Sequence, residues 1–306
     1  MGNSLVELSN ELAGAVEQAG RAVVAVNARP RISSSGVHWR PGVIVTAEHA
    51  VKRDEEITVT LADGRTAAAT LAGRDPGTDL ATLKVEDAQV PLADFDGDES
   101  LRAGNVVLAV GRSAETGVNA TMGVVSAVYG SWRTWRGGLI DRYIRLDVTL
   151  YPGSSGGAVV NAKGQVLGIA TSGLSRIAGL AIPNSTVSRA VDELLAKGHV
   201  SRGYLGVGLH PVSLPAHLTN QLRLAEPNGL IVVMVEPNGP AERAGLLIGD
   251  ILLALDGKPI QDTDDVLAAL GGEVVGTVVK ASILRGGTPA ELSIAVGERP
   301  RRGELK

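Results

Sequence analysis

Short β-branched runs, separated by turn signals, dominate the first two thirds of the chain. Turn pairs such as Asp63-Gly64 and Lys163-Gly164 lie between them. No helical pattern separates one run from the next, so the alternating strands and helices of a parallel sheet are excluded. Many short strands at close spacing predict an antiparallel barrel or sandwich. The runs are 22–27, 43–46, 57–61, 80–85, 106–110, 123–128, 143–149, 158–160 and 166–171.

A second strand pattern follows and predicts a second domain, as does the length of 306 residues. A helix is expected at 184–197, ending at Gly198. The later strands are expected near 204–209, 229–235, 250–255, 277–284 and 290–296, with a helix at 262–270. The predicted boundaries are an amphipathic helix at 1–21, a strand-rich domain at 22–197, a linker at 198–202, a second domain at 203–298 and a basic tail at 299–306.

Composition excludes several function classes. The net charge is −4 with acids and bases interspersed, so nothing marks a nucleic-acid surface. With no cysteine, disulfides, thiolate metal sites and cysteine nucleophiles are excluded. No phosphate-binding Gly-Lys-Ser/Thr or metal-binding His-Glu-x-x-His is present, so no cofactor or metal is predicted.

The same sequence shows no apolar run long enough for a membrane span. It also lacks a basic and apolar leader, so the expected location is cytoplasmic as written. A trimmed N-terminus would make it periplasmic or otherwise extracytoplasmic.

Ser155 is the candidate nucleophile because it lies in Gly153-Ser154-Ser155-Gly156-Gly157. On a tight glycine-rich turn, the amides of Gly153 and Ser155 can point to one spot and stabilise an oxyanion. The alternative is a flexible turn between strands. The motif also fits the nucleophile elbow of α/β-hydrolases, but that elbow needs a helix after the serine. Here the following residues predict a hairpin.

A serine hydroxyl needs an imidazole to take its proton, and that imidazole needs a partner to fix its tautomer. His49 follows the apolar strand 42–46, and Asp79 begins the alternating strand 80–85. Either residue alone could be structural, the first as a packed histidine and the second as a turn acid. Their order before Ser155 is that of the chymotrypsin-type triad.

Four segments resemble the HtrA/Deg family of PDZ-containing serine proteases. They surround His49 (TAEHAV), Asp79 (TDLATLKV) and Ser155 (LDVTLYPGSSGG), with GLAIP at 179–183 closing the domain. The resemblance extends from about residue 22 to 298. Ser154 departs from it, since the family usually has Asn there.

The resemblance implies a mainly β chain, in which a chymotrypsin-like double β-barrel precedes a C-terminal PDZ domain. It implies an ATP-independent endoprotease acting on unfolded or damaged proteins through an acyl-enzyme, as a homotrimer or larger oligomer. The long regulatory loop that some members have between the first strands is reduced here to about 30–41. Substrate would contact Thr149, Leu150 and the segment Ala170, Thr171, Ser172 and Gly173. No acidic residue occupies the pocket base, so cleavage after small or medium aliphatic residues is expected.

Residues 203–298 resemble a bacterial-type PDZ domain. Tyr204, Leu205, Gly206 and Val207 resemble its carboxylate-binding loop, which would hold a peptide C-terminus as an added strand. Val266 and Leu270 lie one helical turn apart and are expected to line the pocket for the last side chain. A different function remains open: a catalytically idle PDZ scaffold or chaperone-like holdase.

Overall fold

The computed structural model describes residues 4–86, 90–95, 101–222 and 227–300. Contacts divide the chain into two compact units, one ending at Val200 and the other beginning at Ser201. Most of the predicted basic tail, residues 301–306, lies outside the described residues. None of the described helices is both long enough and apolar enough to cross a membrane.

The first unit begins with helix α1, Ser4–Gly20. Leu12 and Val16 pack against the core beside it, whereas Leu5 is 76% exposed and Leu8 is 49% exposed. Of the apolar side chains whose spacing predicted this helix, only those in its second half therefore pack against the core.

Six strands of the first unit form a closed antiparallel barrel in the order β1-β2-β3-β6-β5-β4, with β1 also paired to β4. Its interior contains small β-branched and aliphatic side chains such as Val26, Ile44 and Leu83. The strands are β1 (Val23–Asn27), β2 (Ser34–Arg40), β3 (Val43–Ala47), β4 (Ile57–Thr60), β5 (Thr66–Asp75) and β6 (Leu80–Val85).

A second closed barrel follows in the order β11-β14-β13-β12-β7-β8. Strands β9 and β10 form a separate two-stranded pair within the connection to β11. The strands are β7 (Val106–Ser113), β8 (Gly117–Tyr129), β9 (Trp132–Arg133), β10 (Leu139–Ile140), β11 (Tyr143–Asp147), β12 (Ala158–Val160), β13 (Val166–Thr171) and β14 (Gly179–Pro183). The predicted double β-barrel is confirmed.

Strands β2, β5 and β14 were not predicted from the sequence. β2 begins with two serines and a glycine, and β5 contains a run of alanines, both of which have low strand propensity. The expected regulatory loop at 30–41 was wrong in extent, because β2 occupies 34–40 and leaves only 28–33 as the connection.

Helix α2, Asn184–Lys197, ends the first unit where the sequence predicted it. Gly198 follows in the left-handed conformation at φ +77, and its N–H closes the last turn on the carbonyl of Leu194. Val187, Ala190, Val191 and Leu194 lie on the buried face of the helix.

The second unit contains a five-membered strand path, β16-β17-β18-β20-β21, with β19 paired to β18 and a separate β15-β22 pair. Strand β16 is at one edge of this path. The strands are β15 (Gly203–Tyr204), β16 (Val207–Ser213), β17 (Asn228–Val235), β18 (Ile251–Leu255), β19 (Lys258–Pro259), β20 (Val278–Arg285), β21 (Thr288–Ala295) and β22 (Gly297–Glu298). The helices are α3 (Ala216–Leu222), α4 (Pro240–Arg243) and α5 (Thr263–Ala269).

Candidate active site

The paired strands β3 and β6 of the first barrel bring His49 and Asp79 into direct contact. His49 follows β3 in a single 3₁₀ turn, and Asp79 precedes β6, the strand that pairs with β3. His49 Nδ1 lies 2.8 Å from Asp79 Oδ2, and the His49 backbone N–H donates to Asp79 Oδ1 at 2.9 Å. Asp79 is only 2% exposed and adopts φ +58, a conformation that favours Asn, Asp and Gly. The carboxylate therefore fixes both the ring and the backbone of His49.

The end of strand β13 completes the surroundings of this pair. The fully buried Thr171 hydroxyl donates a short hydrogen bond to Asp79 Oδ2 and accepts the N–H of Gly173 at 2.9 Å. A Cβ on Gly173 would come within 2.6 Å of His49 Nδ1 and 2.7 Å of Asp79 Oδ2. The segment after β13 passes so close to the pair that only glycine fits at position 173.

Glu48, the other acid near the imidazole, faces away from it. Its carboxylate lies 3.6 Å from Arg74 and 3.8 Å from Arg136, and its backbone N–H donates to the carbonyl of Asp79. These contacts agree with the choice of Asp79 as the partner of His49.

The loop that contains Ser155 is held by the start of strand β2. The Ser35 hydroxyl donates to the Gly153 carbonyl at 2.8 Å and accepts a hydrogen bond from the backbone N–H of Arg112 at 3.0 Å. The Ser35 backbone N–H donates to the Ser155 carbonyl at 3.2 Å. Ser35 is fully buried, so these bonds are shielded from water.

Two amides of this loop are unpaired. Within the described part of the chain, the N–H groups of Gly153 and Ser155 donate to no acceptor. Gly153 has φ +99, whereas Ser154 donates its own N–H to the Tyr151 carbonyl. Unused donors beside a nucleophile are what an oxyanion requires.

The Ser155 hydroxyl bonds to Ser172 and not to the imidazole. The two Oγ atoms are 3.1 Å apart, and the Ser172 N–H lies 3.4 Å from Ser155 Oγ. Among the described residues, His49 and Ser155 share no hydrogen bond. His49 and Asp79 are thus already paired, while Ser155 has a different partner.

The residues expected to contact substrate differ in their exposure and in whether their backbone groups are already hydrogen-bonded. Thr149 is exposed and Leu150 half-buried beside Gly179. The expectation that Ala170 pairs with substrate is wrong, because its N–H and carbonyl already bond Gly157 and Gly156. Thr171 pairs with Leu180 in β14, and its side chain faces Asp79. The carbonyls of Ser172 and Gly173 accept no hydrogen bond among the described residues.

In the second unit, the segment expected to bind peptide lies beside the edge strand β16. The N–H groups of Leu205 and Gly206 donate to no acceptor within the described ranges. The carbonyl of Gly206 is held by the Glu236 N–H at 2.8 Å, and the Tyr204 hydroxyl bonds the Glu236 carboxylate. Val207 begins β16. Leu205 shares one apolar cluster with Val266 and Leu270, each less than 8% exposed.

No group of three or more His, Asp or Glu side chains within the described ranges is arranged to hold a metal ion.

Residues 34–169 match the family model for a trypsin-like peptidase domain, and residues 203–296 match that for a PDZ domain. Fold and site thus define a trypsin-like serine peptidase joined to a PDZ domain. The solved structure titled "HtrA-type protease AlgW with decapeptide" superposes with a TM-score of 0.77 at 31% identity, covering 95% of this chain and 99% of that one. The chain belongs to the HtrA/DegP family of serine endoproteases.

Two further relatives agree. The serine endoprotease from Yersinia pestis matches with a TM-score of 0.77 at 31% identity, over 94% of this chain and 98% of that one. A protein of Rhizobium meliloti named "Probable periplasmic serine endoprotease DegP-like" is 35% identical over 279 residues, 89% of this chain and 54% of the relative. The chain spans about half the length of the curated relatives it matches.

Several contacts of this site had not been predicted. Ser35 and the hydroxyl of Ser172 were not singled out, and Thr171 was considered only for substrate contact. A signal existed for Ser35, since a run of three serines and a glycine is unusual at the start of a strand. Nothing in the sequence indicates that the hydroxyls of Thr171 and Ser172 face Asp79 and Ser155, because those contacts join segments 92 and 17 residues apart.

Proposed function

We propose that the chain is an ATP-independent serine endoprotease that hydrolyses peptide bonds of unfolded or damaged proteins, with His49, Asp79 and Ser155 as its triad. The observation that carries this is an imidazole held on a buried carboxylate, beside a serine framed by two unpaired amides. That arrangement meets the requirements of acyl transfer.

The reaction follows from these positions. His49 takes the proton of the Ser155 hydroxyl as Oγ bonds the substrate carbonyl carbon, and the N–H groups of Gly153 and Ser155 stabilise the oxyanion. The leaving amine then takes that proton from His49, which leaves an acyl-enzyme. Water, deprotonated by His49, releases the acyl group and regenerates the hydroxyl. Asp79 keeps its negative charge and holds the ring in the tautomer whose free nitrogen accepts the proton.

Catalysis requires that the Ser155 hydroxyl exchange Ser172 for His49. The bond to Ser172 is an ordinary one at 3.1 Å between two neutral hydroxyls. Its loss therefore costs little free energy compared with the hydrogen bond that the Ser155 hydroxyl makes to His49 as the proton is transferred. We place this exchange at substrate binding, when the carbonyl enters beside Gly153.

Digestion of unfolded casein without nucleotide tests the activity. The wild type should produce fragments, and Ser155→Ala should produce none at equal concentration. A stably folded globular protein, used as the substrate in place of casein, should resist both forms. Equal digestion by the two forms would show a contaminating protease.

The idle holdase is the second candidate, favoured by the Ser155–Ser172 bond. Fluorophosphonate labelling separates the two functions, because only an activated serine reacts. Labelling of the wild type that is absent from His49→Ala supports the protease. A wild type that stays unlabelled while it prevents aggregation of a client supports the holdase.

We propose that the PDZ domain binds peptide C-termini through the amides of Leu205 and Gly206. The added strand would lie along the open edge of β16, facing Val266 and Leu270. The names of the relatives favour a periplasmic over a cytoplasmic location, and the homotrimer or larger oligomer stays a prediction from the family resemblance. Light scattering should give about three times the chain mass or more, and cell fractionation should place the protein outside the cytoplasm.

A further inference from the structure

A polar cavity of about 340 Å³ lies against the candidate oxyanion loop. Pro152 and Gly153 form one wall, and the connection between β1 and β2 forms another. The carbonyl of Ser33 and the side chain of Ile32 lie next to Gly153, within 4 Å of where a Cβ would be. Its volume far exceeds that of one water molecule.

Three arginines line this cavity: Arg29, Arg31 and Arg112. Within the described residues none of them forms an ion pair, whereas exposed arginines elsewhere, such as Arg40 and Arg65, do. Glu115 is the one carboxylate in the lining, and it too has no ion-pair partner among the described residues. The lining therefore carries an excess of two positive charges.

Arg112 is the deepest of the three. It is 9% exposed, and its guanidinium donates to the carbonyls of Val23 at 2.6 Å and Gly20 at 2.8 Å. Burial lowers its pKa because the charge is removed from water. A buried cation held only by neutral carbonyls gains from a nearby anion.

Arg29 and Arg31 stand at the rim. Arg29 donates to the carbonyls of Ile32 and Ser33, at 2.9 and 3.4 Å, and so stiffens the wall. Arg31 is exposed, has φ +70 and makes no hydrogen bond within the described part. Its guanidinium is free to bind a ligand.

The position of the cavity indicates which part of a substrate it takes. The segment expected to bind residues before the cut ends at Ser172 and Gly173, beside His49 and Ser155. The cavity touches Gly153 but no residue of 170–173. A substrate that lies along residues 172–173 and then crosses Ser155 would bring the residues after its scissile bond to the cavity.

We infer that this cavity is a subsite for a carboxylate side chain of the substrate, within the first two residues after the scissile bond. The inference rests on the proposed protease function and adds a specificity to it. Acidic residues there would pair with Arg31 at the rim and be attracted by Arg112 below.

Matched quenched peptides test the subsite. Two pairs, identical except for Glu or Gln at the first or second residue after the cut, are cleaved by the wild type, Arg31→Gln and Arg31→Lys. In at least one pair, the wild type should show a kcat/KM about three- to tenfold higher for Glu, between the values for an exposed ion pair and a charged hydrogen bond. The ratio should fall with added salt.

Arg31→Gln should bring the Glu-to-Gln ratio of kcat/KM close to one, and Arg31→Lys should retain most of the preference. The matched control is Arg65→Gln, an exposed arginine of the β4–β5 turn outside the cavity, which should keep the full ratio. Equal cleavage of Glu and Gln peptides by the wild type at both positions overturns the inference.

Other outcomes are separable. If no peptide of either pair is cleaved, the protease function itself fails. If inorganic phosphate at constant ionic strength changes cleavage of the Gln peptides by the wild type but not by Arg31→Gln, and no Glu preference exists, the cavity binds a free anion and the substrate subsite is overturned.

Discussion

Asp79 combines a buried charge with an unusual backbone, and its φ of +58 is one that Asn also tolerates. Asp79→Asn should therefore preserve the fold while losing the acceptor that fixes the His49 tautomer. We expect kcat to fall about ten-thousandfold, as for other triads of this kind. Peptide cleavage with a thermal melt of the same sample checks both points. A turnover within tenfold of wild type would remove Asp79 from its proposed role.

Ser35 acts on the reaction through the loop it holds. Ser35→Ala removes the bond to the Gly153 carbonyl and leaves the Arg112 N–H unpaired. We expect kcat to fall by at least about tenfold with KM little changed, because the oxyanion donors lose their alignment. Ser34→Ala is the control, since Ser34 is equally buried but its hydroxyl makes, among the described residues, only one bond, at 3.5 Å to the Val26 carbonyl. Equal kinetic effects of the two changes would contradict the role of Ser35.

The sequence predicted site residues best where a motif and a chain order pointed to one specific catalytic role. His49, Asp79 and Ser155 could be proposed from order and local motif, and the structure brings His49 and Asp79 together. The hydroxyls of Ser35, Thr171 and Ser172 could not, because serine and threonine are common in strands and loops. Only long-range pairing decides which of them face the site.

At the scale of elements, the ion pair between Asp250 and Arg285 joins the start of β18 to the end of β20. Arg285 donates to both carboxylate oxygens, at 2.8 and 2.7 Å, and the Leu247 N–H donates as well. The Arg285 hydrogen bond, followed by that of Leu247, holds the pKa of Asp250 below its usual value, although burial opposes this. The stabilisation therefore exists above the unfolded-state pKa of about 4 and is lost as the pH falls through the lower folded-state pKa.

Asp250→Asn should lower the free energy of unfolding of the second unit by about 1–3 kcal/mol at pH 7, and the difference should vanish in strong acid. Urea unfolding in the Ser155→Ala background, followed by far-UV circular dichroism, measures it. All three tryptophans, Trp39, Trp132 and Trp135, lie in the first unit, so their fluorescence should not change. A difference that persists undiminished at pH 2 would contradict the ion-pair origin.

Element prediction failed where composition was ambiguous. Strands with several aliphatic residues, such as β3 and β6, were expected at nearly their observed bounds. β5 was missed because alanine favours helices, and it became a strand only through pairing with β4 and β6 on either side. Tertiary contacts, invisible in a local window, determined that segment.

At the scale of the whole molecule, the PDZ unit has an apolar core of its own, so its ligand binding can be tested in the intact chain. In the Ser155→Ala background, a peptide with a free C-terminal carboxylate and an apolar last residue should bind at least about tenfold more tightly than its amide, since hydrogen bonds to a charged group are worth about 1.5–3 kcal/mol. Calorimetry measures both. Equal affinities would exclude the amides of Leu205 and Gly206 as a carboxylate site.

The short connection 28–33 between the first two strands also sets a limit on how this chain can vary. Its residues Ile32 and Ser33 lie next to Gly153, whereas Pro30 and Arg31 are exposed, so residues inserted after Pro30 would extend into solvent at the rim of the cavity. A longer version of this connection would thus change the rim of the cavity before it changed the wall beside Gly153.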